Sequence, residues 1–165
     1  TAAFSVAAAM GGAVETTSVD LAKRSRELST AHFEANGFSM GNHRLVVMDV
    51  FDYFKYAKKK GLSYDLIVID PPSFARNKKR TFSANKDYHK LIAQSLDILS
   101  EHGTIIASTN AANMTVQQFK KQLRKGLGDV TADFVNLQQL PADFTVNPND
   151  PTSNYLKVYT IKVNK

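Results

Sequence analysis

The sequence predicts an α/β fold: a doubly wound, mostly parallel sheet with an antiparallel last strand. Three observations carry this. Short apolar segments alternate with stretches of helical spacing along the 165 residues, as βα units do. Acids stand at the ends of successive apolar segments, at Asp20, Asp49 and Asp70, where open α/β sheets bind ligands. The last two apolar segments, 132–138 and 155–163, are joined by a loop rich in Pro, Asn and Asp at 141–154. With no obvious crossover helix between them, they should pair antiparallel.

The elements follow in order. Residues 1–10 are Ala-rich and stop at Gly11-Gly12, a helix with its C-terminal stop. A domain that opens on a helix reads as one whose first, central strand is missing from this chain. Residues 14–19 predict a strand closed by Asp20. Residues 21–36 predict a helix with a narrow apolar stripe of Leu21, Leu28, Ala31 and Ala35, ended by Asn36-Gly37. A third apolar segment, 44–48, ends at Asp49. Residues 50–60 form a helix with Phe51, Phe54 and Ala57 inward and Gly61 as its stop, with Tyr53 and Tyr56 as core and rim.

Leu66-Ile67-Val68-Ile69 shows no alternation, so 65–70 reads as a central strand buried on both faces. Pro71 and Pro72 lack N–H groups and stop it, leaving Asp70 at its carboxyl end. After a basic loop, 86–99 places Tyr88, Leu91, Ile92, Ser95 and Leu99 at helical spacing. Gly103 ends that turn, and 104–109 is a buried strand. Thr115 and Gln118 make a capping box, and Val116, Phe119, Leu123 and Leu127 give that helix its core face.

Composition narrows the function. The length suits one domain, and 43% hydrophobic residues is ordinary for a globular protein. No apolar run reaches ~18 residues and no signal-peptide pattern is visible, so no membrane span is expected; the expected location is cytoplasmic. The chain has no cysteine, which excludes disulfides, thiolate metal sites and a cysteine nucleophile within it. The four His are scattered without ligand spacing, so no metal is expected. A net charge of +6 and a pI near 9.5 favour a polyanionic partner.

The chemistry concentrates after Ile69. A planar amino group on a nucleobase needs an acceptor beside it. Asp70 offers carboxylate oxygens, Pro71 a carbonyl at a fixed angle and Phe74 a flat face for stacking. The ordinary alternative is a strand exit with a capping Asp, and the tetrapeptide alone does not decide. Strand-end acids at Asp20 and Asp49 suit the ribose hydroxyls and adenine amino group of a nucleoside cofactor, with Phe51 on the adenine face. Helix capping competes at each position. No G-x-G-x-x-G is present, which suits S-adenosylmethionine better than a dinucleotide. Arg76, Lys78, Lys79 and Arg80 follow the motif, with Phe82, Lys86 and Lys90 near; such a loop can grip phosphates beside a target base, or be a solvated basic loop. Lys55, Lys58, Lys59 and Lys60 read as a solvated helix end.

Taken in order, the segments Thr1-Ala2-Ala3-Phe4-Ser5-Val6-Ala7-Ala8-Ala9, Val19-Asp20-Leu21-Ala22-Lys23, Asp49-Val50-Phe51-Asp52 and Asp70-Pro71-Pro72-Ser73-Phe74 form a familiar series. Lys86-Asp87-Tyr88 and Asn154-Tyr155-Leu156-Lys157 continue it. The series resembles the class I S-adenosylmethionine-dependent methyltransferases of bacterial large-subunit ribosomal RNA, with their Rossmann-like sheet. The match is to the group that carries an N-terminal RNA-binding PUA domain.

The resemblance implies that Thr1, Ala2, Phe4 and Ser5 belong to the methionine-binding loop. It implies Asp20 and Leu21 at the ribose, Asp49, Val50 and Phe51 at adenine, and Asp70 beside both cofactor and target base. Pro71 and Phe74 complete the catalytic set. It further implies S-adenosylmethionine as cofactor, large-subunit ribosomal RNA as partner and a PUA domain upstream, and it allows a homodimer formed through the full-length protein.

Two departures stand out. The family usually has Gly where Ala2 stands. Members that methylate C5 of cytosine use a cysteine after the fifth strand, where this chain reads Ala107-Ser108-Thr109-Asn110-Ala111-Ala112-Asn113. Carbon 5 needs a thiolate to add at carbon 6, so the target is expected to be a base nitrogen, with C5-cytosine chemistry as the family-based alternative. A nicotinamide dehydrogenase lacks its glycine turn here. A non-catalytic RNA-binding module would leave the strand-end acids without a role.

Overall fold

The computed structural model describes residues 2–76 and 80–165. The chain divides into two compact units, Thr1–Tyr56 and Ala57–Lys165.

The first unit holds α1 (Ala3–Met10), β1 (Thr16–Asp20), α2 (Ser25–Ala35) and β2 (His43–Val47), and α3 (Val50–Lys59) begins in it. Strands β1 and β2 pair in parallel, Thr16 opposite His43 and Asp20 opposite Val47. The core gathers on Phe33, fully buried among Val6, Ala9, Phe38, Met40 and Leu45. Its ring stacks on His43 at 4.6 Å, and that imidazole is tied through Nδ1 to the Thr16 hydroxyl at 3.0 Å. Phe51, Phe54 and Ala57 are buried along α3, as their spacing predicts, and Tyr53 is buried as well.

The second helix departs from expectation. It begins at Ser25, not at residue 21, because Asp20 accepts hydrogen bonds from the Ala22 N–H and the Ser25 hydroxyl and holds 20–25 in a turn. The expected stripe is therefore wrong. Leu21 lies outside the helix, Leu28 is 50% exposed, Ala31 and Ala35 are exposed, and the buried side chains are Ser29 and Phe33.

The second unit contains β3 (Tyr64–Ile69), β4 (Phe74–Arg76), β5 (Thr81–Ser83), α4 (Ala84–Leu96), β6 (Leu99–Thr109), α5 (Val116–Leu127), β7 (Thr131–Gln138) and β8 (Lys157–Asn164). Four strands form one sheet in the order β3-β6-β8-β7. Strand β3 runs parallel to β6, and β8 runs antiparallel to both β6 and β7, so the expected antiparallel ending is present. Helix α5 starts on its capping box: the Gln118 N–H donates to the Thr115 hydroxyl and the Thr115 N–H to the Gln118 side chain. It packs on α4 so closely at Gly126 that a Cβ there would lie 2.5 Å from Ile92 Cβ. Tyr88, Ile92, Ile105, Phe119, Leu123 and Ile161 form the core beneath.

Three expectations need correction here. Among the described residues strand β3 pairs on one side only, with β6, and it is not buried on both faces: Leu66 is 45% exposed and only Ile69 is buried. Gly103 does not end a turn but lies inside β6, which starts at Leu99; the register slip opposite Tyr64 and Leu66 absorbs the irregularity. Where the basic stretch after Phe74 is described it is not loop: β4 and β5 pair antiparallel as the two arms of a hairpin, with Phe74 opposite Ser83, Ala75 opposite Phe82 and Arg76 opposite Thr81. Its composition hides this, because strands of three residues leave too little alternation to register.

Candidate functional site

In the first unit, strand pairing brings the two expected acids to one edge. Asp20 is the last residue of β1, and Asp49 lies two residues beyond β2, whose Val47 faces Asp20 across the ladder. Asp49 Oδ1 accepts the Phe51 N–H at 3.0 Å, so the capping alternative holds for Asp49 as a local role. Asp20 Oδ1 accepts the Ala22 N–H at 2.8 Å and Oδ2 the Ser25 hydroxyl at 2.6 Å. Partial burial opposes ionisation of Asp20, but the Ser25 and Ala22 hydrogen bonds outweigh it and hold the carboxyl below its ordinary value. The acid is therefore a fixed, exposed anion, and each oxygen keeps a second lone pair for a further donor. That pair of acceptors fits the donating vicinal hydroxyls of a ribose, the sugar part of a nucleoside.

The other residues expected at a cofactor are spread along the same unit. Ala2 has φ +54°, in the left-handed region, and caps α1 through the Val6 N–H donated to its carbonyl. A position of this conformation favours glycine, which is the residue the family resemblance calls for. The hydroxyls of Ser5 and Ser18 share a hydrogen bond of 2.8 Å, tying α1 to β1. Phe4 and Leu21 are mostly exposed and Val50 partly so, whereas the Phe51 ring is buried. Thr1 lies outside the described residues.

In the second unit, Asp70 follows the last residue of β3 and is exposed; Pro71 is half-buried. The backbone leading to it is anchored from below, where the buried Tyr88 hydroxyl meets the Ile69 and Ser108 carbonyls, each at 2.8 Å. Beyond the prolines, the Ser73 hydroxyl donates to Asn110 Oδ1 at 2.7 Å, which ties the strand exit of β3 to that of β6. The Ser73 carbonyl accepts the Ala84 N–H and closes the base of the hairpin. Phe74 is 63% exposed. Residues two apart on a strand share a face, so Phe74 and Arg76 stand together on the hairpin's outer side, while Phe82 is buried on the other. Arg80 is half-buried at the start of the return strand, and Lys78 and Lys79 lie outside the described residues.

Sequence reasoning set Tyr88 in the core and in the family series but gave its hydroxyl no task, and it gave Asn110 no role. Asn110 did carry a signal: it stands directly after β6, as Asp70 stands directly after the parallel strand β3. Among the described residues no group of His, Cys, Asp or Glu gathers that could hold a metal ion, and no helix is long and apolar enough to cross a membrane.

Comparison with known proteins shows the family of the chain. A family model described as S-adenosylmethionine-dependent methyltransferase matches residues 1–156. YwbD of Bacillus subtilis strain 168, provisionally named a ribosomal RNA large subunit methyltransferase, is 45% identical over 98% of this chain and 41% of its own length. Ribosomal RNA large subunit methyltransferase K of Neisseria meningitidis is 32% identical over 87% of this chain and 40% of its own. The crystal structure of SMU.776, provisionally named a methyltransferase and complexed with SAH, superposes with a TM-score of 0.96 at 72% identity, over 99% of this chain and 43% of that one. The chain thus spans about two fifths of the length of these relatives. With a family match over nearly its whole extent and the strand-end acids and the Asp-Pro-Pro-Ser-Phe exit in place, the chain belongs to the S-adenosylmethionine-dependent methyltransferase family.

Proposed function

We propose that the protein carrying this chain methylates a base of large-subunit ribosomal RNA, at a ring or exocyclic nitrogen. The observation that carries this reading is the β3 exit. The exposed Asp70 and the backbone carbonyl of Pro71 offer acceptors a few residues before an exposed Phe74, and that aromatic opens a strand pair flanked by Arg76 and Arg80. An aromatic face, an acceptor pair and adjacent cations suit an unstacked base and its flanking phosphates. The names of YwbD and methyltransferase K, both given as acting on large-subunit ribosomal RNA, support the same substrate.

In this reading Asp20 and Leu21 hold the ribose, Asp49, Val50 and Phe51 the adenine, and Ala2, Phe4 and Ser5 the methionine side. S-adenosylmethionine, when bound, supplies a methyl group on a sulfonium. The remaining work falls to the chain. Asp70 and Pro71 orient the amino or imino group so that its lone pair faces the methyl, and Phe74 fixes the base plane. Positioning of this kind provides much of the rate enhancement of a two-substrate transfer. Nitrogen is favoured over C5 because the 165 residues hold no cysteine; the β6 exit offers Ser108, Thr109 and Asn110, and a hydroxyl is a far weaker nucleophile toward carbon 6 than a thiolate. Ribosomal RNA as partner, a cytoplasmic location, a PUA domain upstream and a homodimer of the complete protein belong to the same proposal.

The deciding experiment compares ribosomal RNA nucleosides from cells with and without the gene by mass spectrometry. Loss of one N-methylated base is the expected result. Loss of 5-methylcytosine would sink the nitrogen argument and keep the methyltransferase. In the purified complete protein, Asp70→Ala should abolish transfer and leave S-adenosylmethionine affinity within a few fold; lost cofactor binding would make Asp70 a cofactor residue only.

A further inference from the structure

Lys157 opens β8 and is only 3% exposed. Its Nζ donates to the Ala111 carbonyl at 2.8 Å and to the Tyr155 carbonyl at 2.7 Å. Burial pulls the ammonium below the ordinary lysine value. Placing a cation inside a protein to meet neutral carbonyls is costly, and an apolar side chain would join β8 to its neighbour more cheaply. What distinguishes the lysine is the segment it grips.

Ala111 lies one residue past Asn110, whose side-chain oxygen accepts the Ser73 hydroxyl. The same turn is held from within by the Ala111 N–H donated to the Thr109 hydroxyl at 3.3 Å. Thr109 in turn pairs with Lys157 itself across the β6-β8 ladder. A closed path therefore runs from the ammonium to the Ala111 carbonyl, along one peptide to Asn110, and across to Ser73. From Ser73 the chain passes directly to Phe74 in one direction. In the other it passes through Pro72 and Pro71 to Asp70, and the fixed φ of each proline transmits a displacement instead of absorbing it.

We propose that Lys157 is a positioning residue for methyl transfer: its grip on the Ala111 carbonyl, relayed through the Asn110–Ser73 hydrogen bond, sets the placement of Asp70 and Phe74. This rests on the target-base role assigned above to the β3 exit. Lys157 does not touch the substrate; it fixes the loop that does.

The test is a double-mutant cycle in the complete protein, with Lys157→Met, Ser73→Ala and both together. The assay is single-turnover transfer of labelled methyl from S-adenosylmethionine to ribosomal RNA taken from cells lacking the gene. Lys157→Met should slow transfer about tenfold or more while cofactor affinity, read by calorimetry, stays within about twofold. Ser73→Ala should slow it less, and the double variant should be no slower than Lys157→Met alone, because both changes cut one path. Losses that multiply, or a Lys157→Met rate equal to wild type, overturn the proposal. If Lys157→Met melts below the assay temperature, Lys157→Arg carries the test: its longer planar head displaces the Ala111 carbonyl, so a wild-type rate overturns the proposal and a loss not deepened by Ser73→Ala supports it. A wild-type protein that leaves this RNA unmethylated overturns the proposed function, and this inference with it.

Discussion

The Tyr88 hydroxyl lies 2.8 Å from the carbonyl oxygen of Ile69, the residue that hands the chain over to Asp70. The same hydroxyl reaches the Ser108 carbonyl at the end of β6, so a single proton serves the ends of two neighbouring parallel strands. Burial pushes the phenol well above its ordinary value, and the nearby charge of Asp70 pushes it the same way, so it remains a donor at any working pH. Tyr88→Phe leaves the ring, and its edge-on contact with Phe119, but strands two buried carbonyls. The expected cost is about 1–3 kcal/mol, measured as a shift in urea midpoint at constant m-value. Methyl transfer should slow while cofactor affinity holds; unchanged stability would mean that the carbonyls find other donors.

Ala2 offers a prediction of the opposite sign. Its φ of +54° places a Cβ where left-handed backbone crowds it. Ala2→Gly removes that strain at some cost in unfolded-chain entropy. The net expectation is a stabilisation of about 0.5–1 kcal/mol, read from the urea midpoint of the complete protein. A loss of stability would show that the surrounding chain holds Ala2 without strain.

These two residues also show what the sequence made legible. The Gly-to-Ala departure at position 2 could be noticed by resemblance, but its meaning needed the backbone angle. Tyr88 was correctly placed on the buried face of α4 by helical spacing; that its hydroxyl sutures two strand ends was not visible, because a pattern of apolar positions says nothing about where a polar tip lands. Asp20, Asp49 and Asp70 were legible because an apolar run ending in an acid marks a strand end. The stripe through Leu21 and Leu28 failed because Asp20 itself bends 20–25 into a turn, a side-chain effect that periodicity ignores. Strand β3 is not buried on both faces as expected, because an apolar run records hydrophobicity and not which of its faces other elements cover.

Acid should weaken the second unit through Asp87. Burial alone would raise its pKa, but the Lys90 side chain at 2.8 Å and the Ser83 N–H at 3.0 Å lower it overall. A carboxyl depressed in the folded state contributes stability above its unfolded value, near 4, and loses it as pH falls through the folded one. Stability should thus hold at neutral pH and fall below about pH 4. Asp87→Asn should lower stability at neutral pH and flatten this acid limb. Urea midpoints collected from neutral pH to pH 3 check it; parallel curves for the two proteins would remove Asp87 from the account.

The outer face of the hairpin should separate stacking from charge. Phe74 and Arg76 lie side by side there, both exposed, so replacing either by alanine should change stability by no more than about 0.5 kcal/mol. Their effects on RNA affinity should differ in kind. A stacking platform contributes about 1–3 kcal/mol per base and is largely indifferent to salt. A phosphate contact releases condensed counterions, and its removal lowers the slope of log affinity against log salt by about 1. Phe74→Ala should therefore weaken RNA binding equally at low and high salt, and Arg76→Ala should weaken it chiefly at low salt and flatten the slope. Filter binding of ribosomal RNA to the complete protein over a salt series reads both. If Phe74→Ala alters the slope and Arg76→Ala does not, the division of labour on this face is the reverse of the one its geometry supports.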